Sequence, residues 1–178
     1  MVVWGIIWKF IFAGNGGLIN LLLRYFSIEG PPWLFHQYLT MLTVIFVSSL
    51  KNLGINMTIF LAALHGVPTM YYEAARMEGA GKTRQFFSIT LPLISPTLFM
   101  VVTITVIGSL KAFSQIYVMT KGGPNNGTMV WVYYIYEKAF SHLEMGYSSA
   151  SAVLLFCVIL LLTIFQWTMK KRWVHYEK

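Results

Sequence analysis

The sequence is poor in charge and contains no aspartate. Only 11% of its 178 residues are charged, against roughly 25% in an average soluble domain, and all six acidic residues are glutamates. Runs such as 30–50, 85–110 and 145–169 carry no charge at all. Several of these runs reach the ~20 apolar residues that a helix needs to cross a bilayer. This composition excludes a disordered chain and an ordinary soluble domain.

Residues that carry metal, redox or hydrolytic chemistry are also scarce. The one cysteine, Cys157, lies in an apolar run, so the sequence has neither a disulfide framework nor a CxxC pair. The four histidines are dispersed without ligand spacing, and no serine or cysteine stands in a recognisable nucleophile motif. The sequence therefore predicts no catalytic residue, no metal site and no cofactor.

The net charge of +7 is not the signature of a nucleic-acid-binding protein. Its 13 lysines and arginines are scattered over the ends of hydrophobic segments and form no soluble basic domain. We therefore expect membrane lipid, and no nucleic acid, as a partner.

The apolar runs predict an all-α membrane protein with several transmembrane helices. Full spans are expected at 39–64, 93–119 and 149–169, and the run 1–13 is interpreted as part of a further span. Lysines and arginines at 170–172 beside Trp167 are typical of the cytoplasmic end of a span.

Alternation from that end puts 65–92 inside the cell and 120–148 outside. The count of lysines and arginines is then seven inside against three outside, which follows the positive-inside rule. The inner set is Arg76, Lys82, Arg84, Lys170, Lys171, Arg172 and Lys178, and the outer set is Arg24, Lys121 and Lys138.

The outer segments carry three local signals. Residues 17–26 suit a short helix in the membrane interface. The cluster at 121–127 is rich in glycine, proline and asparagine and predicts a turn. Aromatic residues between 131 and 136 suit the headgroup level of the bilayer.

The inner segment 65–92 predicts two short helices joined by a glycine turn. Thr69 is expected to cap a helix over Met70–Glu78, and Gly79 to end it in a left-handed conformation. A second short helix should run from Thr83 to Pro92. An amphipathic connector that lies on the membrane is the alternative interpretation.

The same segment carries a signature of fixed spacing that resembles a known family. The pattern is Glu73-Ala74-Ala75-x3-Gly79-x9-Ile89-x-Leu91-Pro92. It is similar to the EAA signature in the permease subunits of bacterial ATP-binding-cassette (ABC) importers. Tyr117-Val118-Met119-Thr120 and Gly122-Gly123-Pro124 resemble the carbohydrate-importer branch.

The resemblance implies a permease subunit in the bacterial inner membrane that carries a sugar or related solute. It implies ATPase subunits, a second and non-identical permease, and an extracytoplasmic solute-binding protein as partners. It also implies that segment 65–92 is a cytoplasmic coupling element that docks on the ATPase, through Glu73, Ala74, Ala75 and Gly79. The likeness extends to the C-terminal part of such a subunit, so a truncated, non-transporting remnant or an assembly piece is the alternative.

One motif in the coupling segment resembles a nucleotide-binding loop without completing it. Gly81-Lys82-Thr83 matches the end of GxxxxGK[ST], but the first glycine would stand at position 76, which is Arg76. We therefore expect ATP hydrolysis on a separate subunit and no enzymatic activity here.

Two polar stripes occur within the predicted spans. Ser48, Asn52 and Asn56 recur every four residues, and a second set at three-or-four spacing is Thr105, Gly108, Lys111 and Gln115. Buried polar groups in a bilayer are costly and face protein or water. Asn52, Asn56, Lys111 and Gln115 are the candidate lining of a substrate pathway, and hydrogen bonding between helices is the alternative.

Overall fold

A computed structural model describes residues 2–14 and 16–173 of the chain, without the side chains of 171–173. Every regular element within these residues is helical, which confirms the predicted all-α class. In chain order the helices are α1 (Val2–Ile11), α2 (Leu18–Tyr25), α3 (Gln37–His65), α4 (Thr69–Met77), α5 (Lys82–Gln85), α6 (Leu91–Leu93), α7 (Ser95–Leu110), α8 (Ser114–Met119), α9 (Trp131–Tyr136) and α10 (Met145–Trp173). Two π-helical segments, Phe86–Thr90 and Glu137–Ser141, follow α5 and α9.

Two helices among the described residues are long and apolar enough to cross a membrane alone. They are Gln37–His65 and the part of α10 at Met145–Lys170. Only 11% of the apolar window of each helix is buried within the chain. Most of these apolar side chains therefore face lipid or other protein, as expected when the bilayer is the solvent.

The single span predicted at 93–119 is wrong in its extent. A helix of that length would measure about 40 Å, more than the ~30 Å hydrocarbon core requires. The structure instead ends α7 at Leu110 and begins α8 at Ser114. Residues 111–113 between them are not helical.

A sharp bend precedes α7. The helical stretch Lys82–Leu93 meets Ser95–Leu110 at 66°, with Ile94 as the intervening residue. Pro96 has no N–H to donate to the carbonyl of Pro92, and the hydroxyl of Ser95 donates to that carbonyl at 2.6 Å. Proline with a substituting side-chain donor is a common cause of a helix kink. This bend turns the chain from the coupling segment into the candidate span.

The chain divides into two compact units, and the division falls inside α3, α7 and α10. The first comprises Met1–Lys51 and Gly108–Val158, and the second Asn52–Ile107 and Ile159–Lys178. In the first unit α1 packs on α8 at Gly5, where a Cβ would lie 3.5 Å from Val118. Phe12, Val47 and Met119 form a buried cluster beside this contact.

The turn predicted at 121–127 is present in the first unit. Two pairs of adjacent residues have positive φ angles, which glycine and asparagine accommodate well. They are Lys121, Gly122, Asn125 and Asn126. The turn returns the chain to α9, which packs against α8.

Candidate functional site

The coupling segment begins at α4, and its start differs from the prediction. Pro68 is the N-cap residue, with φ −61° and ψ 133°, and Thr69 is already helical. No side-chain hydrogen bond caps the helix, so the predicted capping role of Thr69 is wrong. Proline has no side-chain acceptor for the first N–H groups of the helix, but its fixed φ suits the extended backbone that leads into α4.

The end of α4 confirms the predicted left-handed conformation of Gly79. Gly79 has φ +75°, a left-handed conformation that glycine adopts without steric cost. Its N–H donates to the carbonyl of Arg76 at 3.0 Å, and the N–H of Ala80 donates to the carbonyl of Ala75 at 2.9 Å. These two bonds are the pair that defines a Schellman motif. They fix the direction in which the chain leaves the helix.

Two polar contacts stabilise the stretch that follows Gly79. The hydroxyls of Tyr72 and Thr90 lie 2.9 Å apart. Gln85 is buried, and its side-chain Nε2 donates to the carbonyl of Ala80 at 2.7 Å. Sequence reasoning did not identify the Tyr72–Thr90 pair, because residues 18 positions apart follow no local period. The second helix, α5, begins at Lys82, one residue before the predicted Thr83.

The outward face of α4 carries four exposed residues. Met70, Glu73, Ala74 and Met77 are all exposed and lie on one side of the helix at spacings of three and four. Met77 is 91% exposed, which is unusual for a large apolar side chain. Ala75 is half-buried on the other side with Tyr72. The two alanines of the signature therefore have different surroundings.

The candidate pathway residues divide between the two units. Asn52 is exposed and Asn56 half-buried in the second unit, whereas Lys111 is exposed and Gln115 half-buried in the first. Asn52 and Asn56 share one face of α3. The stripe predicted on one helix from Thr105 to Gln115 is wrong, because α7 ends at Leu110 and Gln115 belongs to α8.

Gln115 makes one contact that the sequence did not specify. The hydroxyl of Ser48 on α3 donates to Gln115 Oε1 at 2.9 Å, which joins the two helices. Gln115 Nε2 is buried and has no hydrogen-bond partner in the described part of the chain. The amide oxygen of Gln115 therefore joins two helices, whereas its amide nitrogen keeps an unused donor.

An aromatic cluster adjoins Gln115. The rings of Phe113 and Tyr136 lie 5.1 Å apart, and those of Phe113 and Tyr133 lie 6.2 Å apart. Tyr117 stacks on Phe113 at 5.4 Å. Tyr133 is buried within the chain, so its ring packs mainly against other residues of this chain. The i,i+4 spacing of Phe113 and Tyr117 was the available sequence signal.

The Tyr133 phenol in this cluster stays protonated at neutral pH. Burial raises its pKa above the ordinary value of 10.0, and the carboxylate of Glu137 raises it further. A protonated phenol remains a hydrogen-bond donor. The cluster thus combines apolar ring surface with a polar group.

Comparison with known proteins gives a family match over almost the whole chain. Residues 1–173 match the family described as "Binding-protein-dependent transport system inner membrane component". The chain is 35% identical over 174 residues to "Probable ABC transporter permease protein YesP" of Bacillus subtilis, covering 97% of this chain and 56% of that protein. It is 34% identical over 173 residues to the sn-glycerol-3-phosphate transport system permease protein UgpA of Agrobacterium fabrum, covering 97% and 59%.

A further relative and a solved structure agree with this match. The arabinooligosaccharides transport system permease protein AraP of Halalkalibacterium halodurans is 32% identical over 168 residues, covering 93% of this chain and 53% of that protein. A chain in the crystal structure of a bacterial alginate ABC transporter, in complex with alginate pentasaccharide-bound periplasmic protein, superposes with a TM-score of 0.86 at 22% identity. That alignment covers 96% of this chain and 60% of the other. The chain therefore spans less than two thirds of the length of these relatives.

Proposed function

The chain belongs to the family of binding-protein-dependent transport system inner membrane components, and from this membership we propose that it forms part of the transmembrane pathway of a solute importer. The match confirms the resemblance to ABC importer permeases. We assign a sugar or related solute as cargo. The names of two relatives, which refer to arabinooligosaccharides and sn-glycerol-3-phosphate, support that class.

The observation that carries the proposal is the exposed face of α4. A helix of nine residues with no buried residue presents Met70, Ala74 and Met77 outward. Exposed apolar surface beside charged side chains is typical of a protein interaction site, and Glu73 and Arg76 on the same helix are both exposed. We assign this face as the docking surface for a separate ATPase, with Gly79 setting its orientation.

The remaining partners follow from the same assignment. A pathway between subunits requires a second permease, and we propose a non-identical one. An extracytoplasmic solute-binding protein delivers the cargo, a role supported by the periplasmic protein in the related alginate complex. The assembly lies in the bacterial inner membrane, and ATP is hydrolysed on the docked subunits.

Single-cysteine labelling tests the topology. Thr83 and Asn126 are both exposed, so a cysteine at either position is accessible to reagent. In a Cys157→Ala background, Asn126→Cys should react with an impermeant thiol reagent when the reagent can reach the outer face of an intact inner membrane. Thr83→Cys should react only after the inner membrane is permeabilised. Labelling of both from one side would contradict the assigned orientation.

Alanine substitutions test the pathway residues. Sugars present hydroxyls without charge, so side chains with both donors and acceptors suit their passage. We expect Asn56→Ala and Gln115→Ala to weaken uptake several-fold, at about 1 kcal/mol per lost hydrogen bond, and to change substrate preference. Uptake competition among sugars and co-purification of the subunits measure the two effects separately.

Ser48→Ala is the matched control for Gln115→Ala. It removes the interhelical bond and leaves the Gln115 amide in place. If the two variants impair subunit assembly equally and neither changes substrate preference, the stripe serves helix packing and the pathway assignment is wrong.

A further inference from the structure

A groove in the second unit runs between α7 and the C-terminal part of α10. It encloses about 330 Å³. Its walls are mostly apolar, and a lysine lies at the end where α7 begins and α10 finishes. Its lining includes Phe99, Met100, Ile104, Thr163, Trp167 and Lys170.

Two aromatic rings hold the lysine in this position. The ammonium group of Lys170 lies 4.8 Å from the ring centroid of Trp167 and 5.7 Å from that of Phe99. Cation–π contacts at these distances are attractive. Both rings are uncharged, so these two contacts orient the ammonium group without changing its charge.

The length of the groove fits one leaflet of a bilayer. Thr163 and Lys170 are seven residues apart, which is about 10 Å along a helix. The hydrocarbon core is about 30 Å thick, so this stretch lies within one half of it. Lys171 and Arg172 follow directly in the sequence, and basic residues at this end of a membrane helix lie at the headgroup level.

We propose that the groove binds an acyl chain of an anionic phospholipid, with the lipid phosphate beside Lys170. An apolar slot that ends in a fixed cation is complementary to an amphipathic anion, and basic pockets between membrane helices select such lipids. The acyl chain contacts Met100 and Ile104, which the acyl chain of a zwitterionic lipid would also contact. The phosphate contact with Lys170 supplies the preference. The proposal holds whichever solute is transported.

Quenching of Trp167 fluorescence by brominated lipid tests the site. The chain, in the complex that it forms in the membrane, is reconstituted in phosphatidylcholine containing a minor fraction of acyl-brominated phosphatidylglycerol or acyl-brominated phosphatidylcholine. The Trp167 signal is the difference between the chain and its Trp167→Phe variant. We expect the brominated anionic lipid to bind about fivefold more tightly than the zwitterionic one, which corresponds to about 1 kcal/mol for one basic side chain beside anionic lipid.

Three variants distinguish lipid binding at Lys170 from a general attraction of anionic lipid to the basic surface. Lys170→Gln should abolish the preference, and Lys170→Arg should retain it. Lys171→Gln also removes one positive charge, but at the next position, which is rotated by about 100° around the helix axis. We expect this variant to keep most of the preference for the anionic lipid.

Three outcomes would overturn the proposal. Equal quenching by both lipids would exclude selection of the anionic headgroup. An equal loss in Lys170→Gln and Lys171→Gln would reduce the effect to surface potential. Failure of either lipid to quench Trp167 would show that a helix of another subunit, or another part of the protein, covers the groove.

Discussion

A Gly79→Val variant is expected to lose most of its substrate-stimulated ATP hydrolysis while still inserting into the membrane. Gly79 has φ +75°, and a β-branched residue at a positive φ costs on the order of 1–3 kcal/mol. Among the described residues, and apart from the two chain neighbours, no atom lies within 4 Å of a Cβ built at this position. The cost therefore arises from the backbone, and relieving it changes the direction of the chain between α4 and α5. ATPase assays on the assembled transporter, with and without cargo-loaded binding protein, measure the loss.

Gly81→Val is the matched control for this variant. Gly81 lies two residues away, also has open space around its Cβ position, and adopts φ −68° and ψ 163°. Valine favours such an extended conformation, so this variant should retain stimulation. Gly79→Asn should be intermediate, because asparagine tolerates left-handed angles. Equal losses in Gly79→Val and Gly81→Val would reject the backbone explanation.

Ala74→Gln should weaken association with the ATPase about tenfold. Ala74 is exposed in the middle of the outward face of α4, between Met70 and Met77. A longer side chain there overfills a close contact, and overpacking costs about 1–3 kcal/mol. A tenfold change in affinity is about 1.4 kcal/mol. Co-purification of the ATPase at graded concentrations measures the effect.

Ala74→Ser distinguishes lost contact from lost helix. Serine is small but is a poorer helix former than glutamine. If close approach at Ala74 matters, glutamine should disrupt association more than serine. The opposite order would mean that α4 had been destabilised and that Ala74 does not meet the partner directly.

The long helices were predictable because their signal is local. The uncharged runs 30–50, 52–72 and 145–169 cover most of α3 and α10, and a helix is favoured there because it satisfies its own backbone hydrogen bonds in lipid. The break at 111–113 gave no such signal. It accompanies packing of Phe113 against Tyr133 and Tyr136, and contacts 20 or more residues apart are invisible to helical periodicity.

The coupling segment shows the same division between local and distant causes. Gly79 was predicted correctly because a helix end after an alanine-rich turn favours glycine in a left-handed conformation. The different surroundings of Ala74 and Ala75 depend on which face of α4 turns inward. That face carries Tyr72, whose hydroxyl meets Thr90. Asn52, Asn56 and Lys111 remain candidate pathway residues on sequence grounds, whereas Gln115 also has a structural context.

The bend at Ile94 has a mechanical consequence for the stretch from Lys82 to Leu93. Twelve helical residues form an arm about 18 Å long, joined to α7 at 66° through one buried residue. A rotation of about 10° at this joint would carry the Lys82 end through about 3 Å, by the same rise per residue. A tilt of α7 that the joint transmits rigidly would therefore move the coupling end by a distance as large as a hydrogen-bond length.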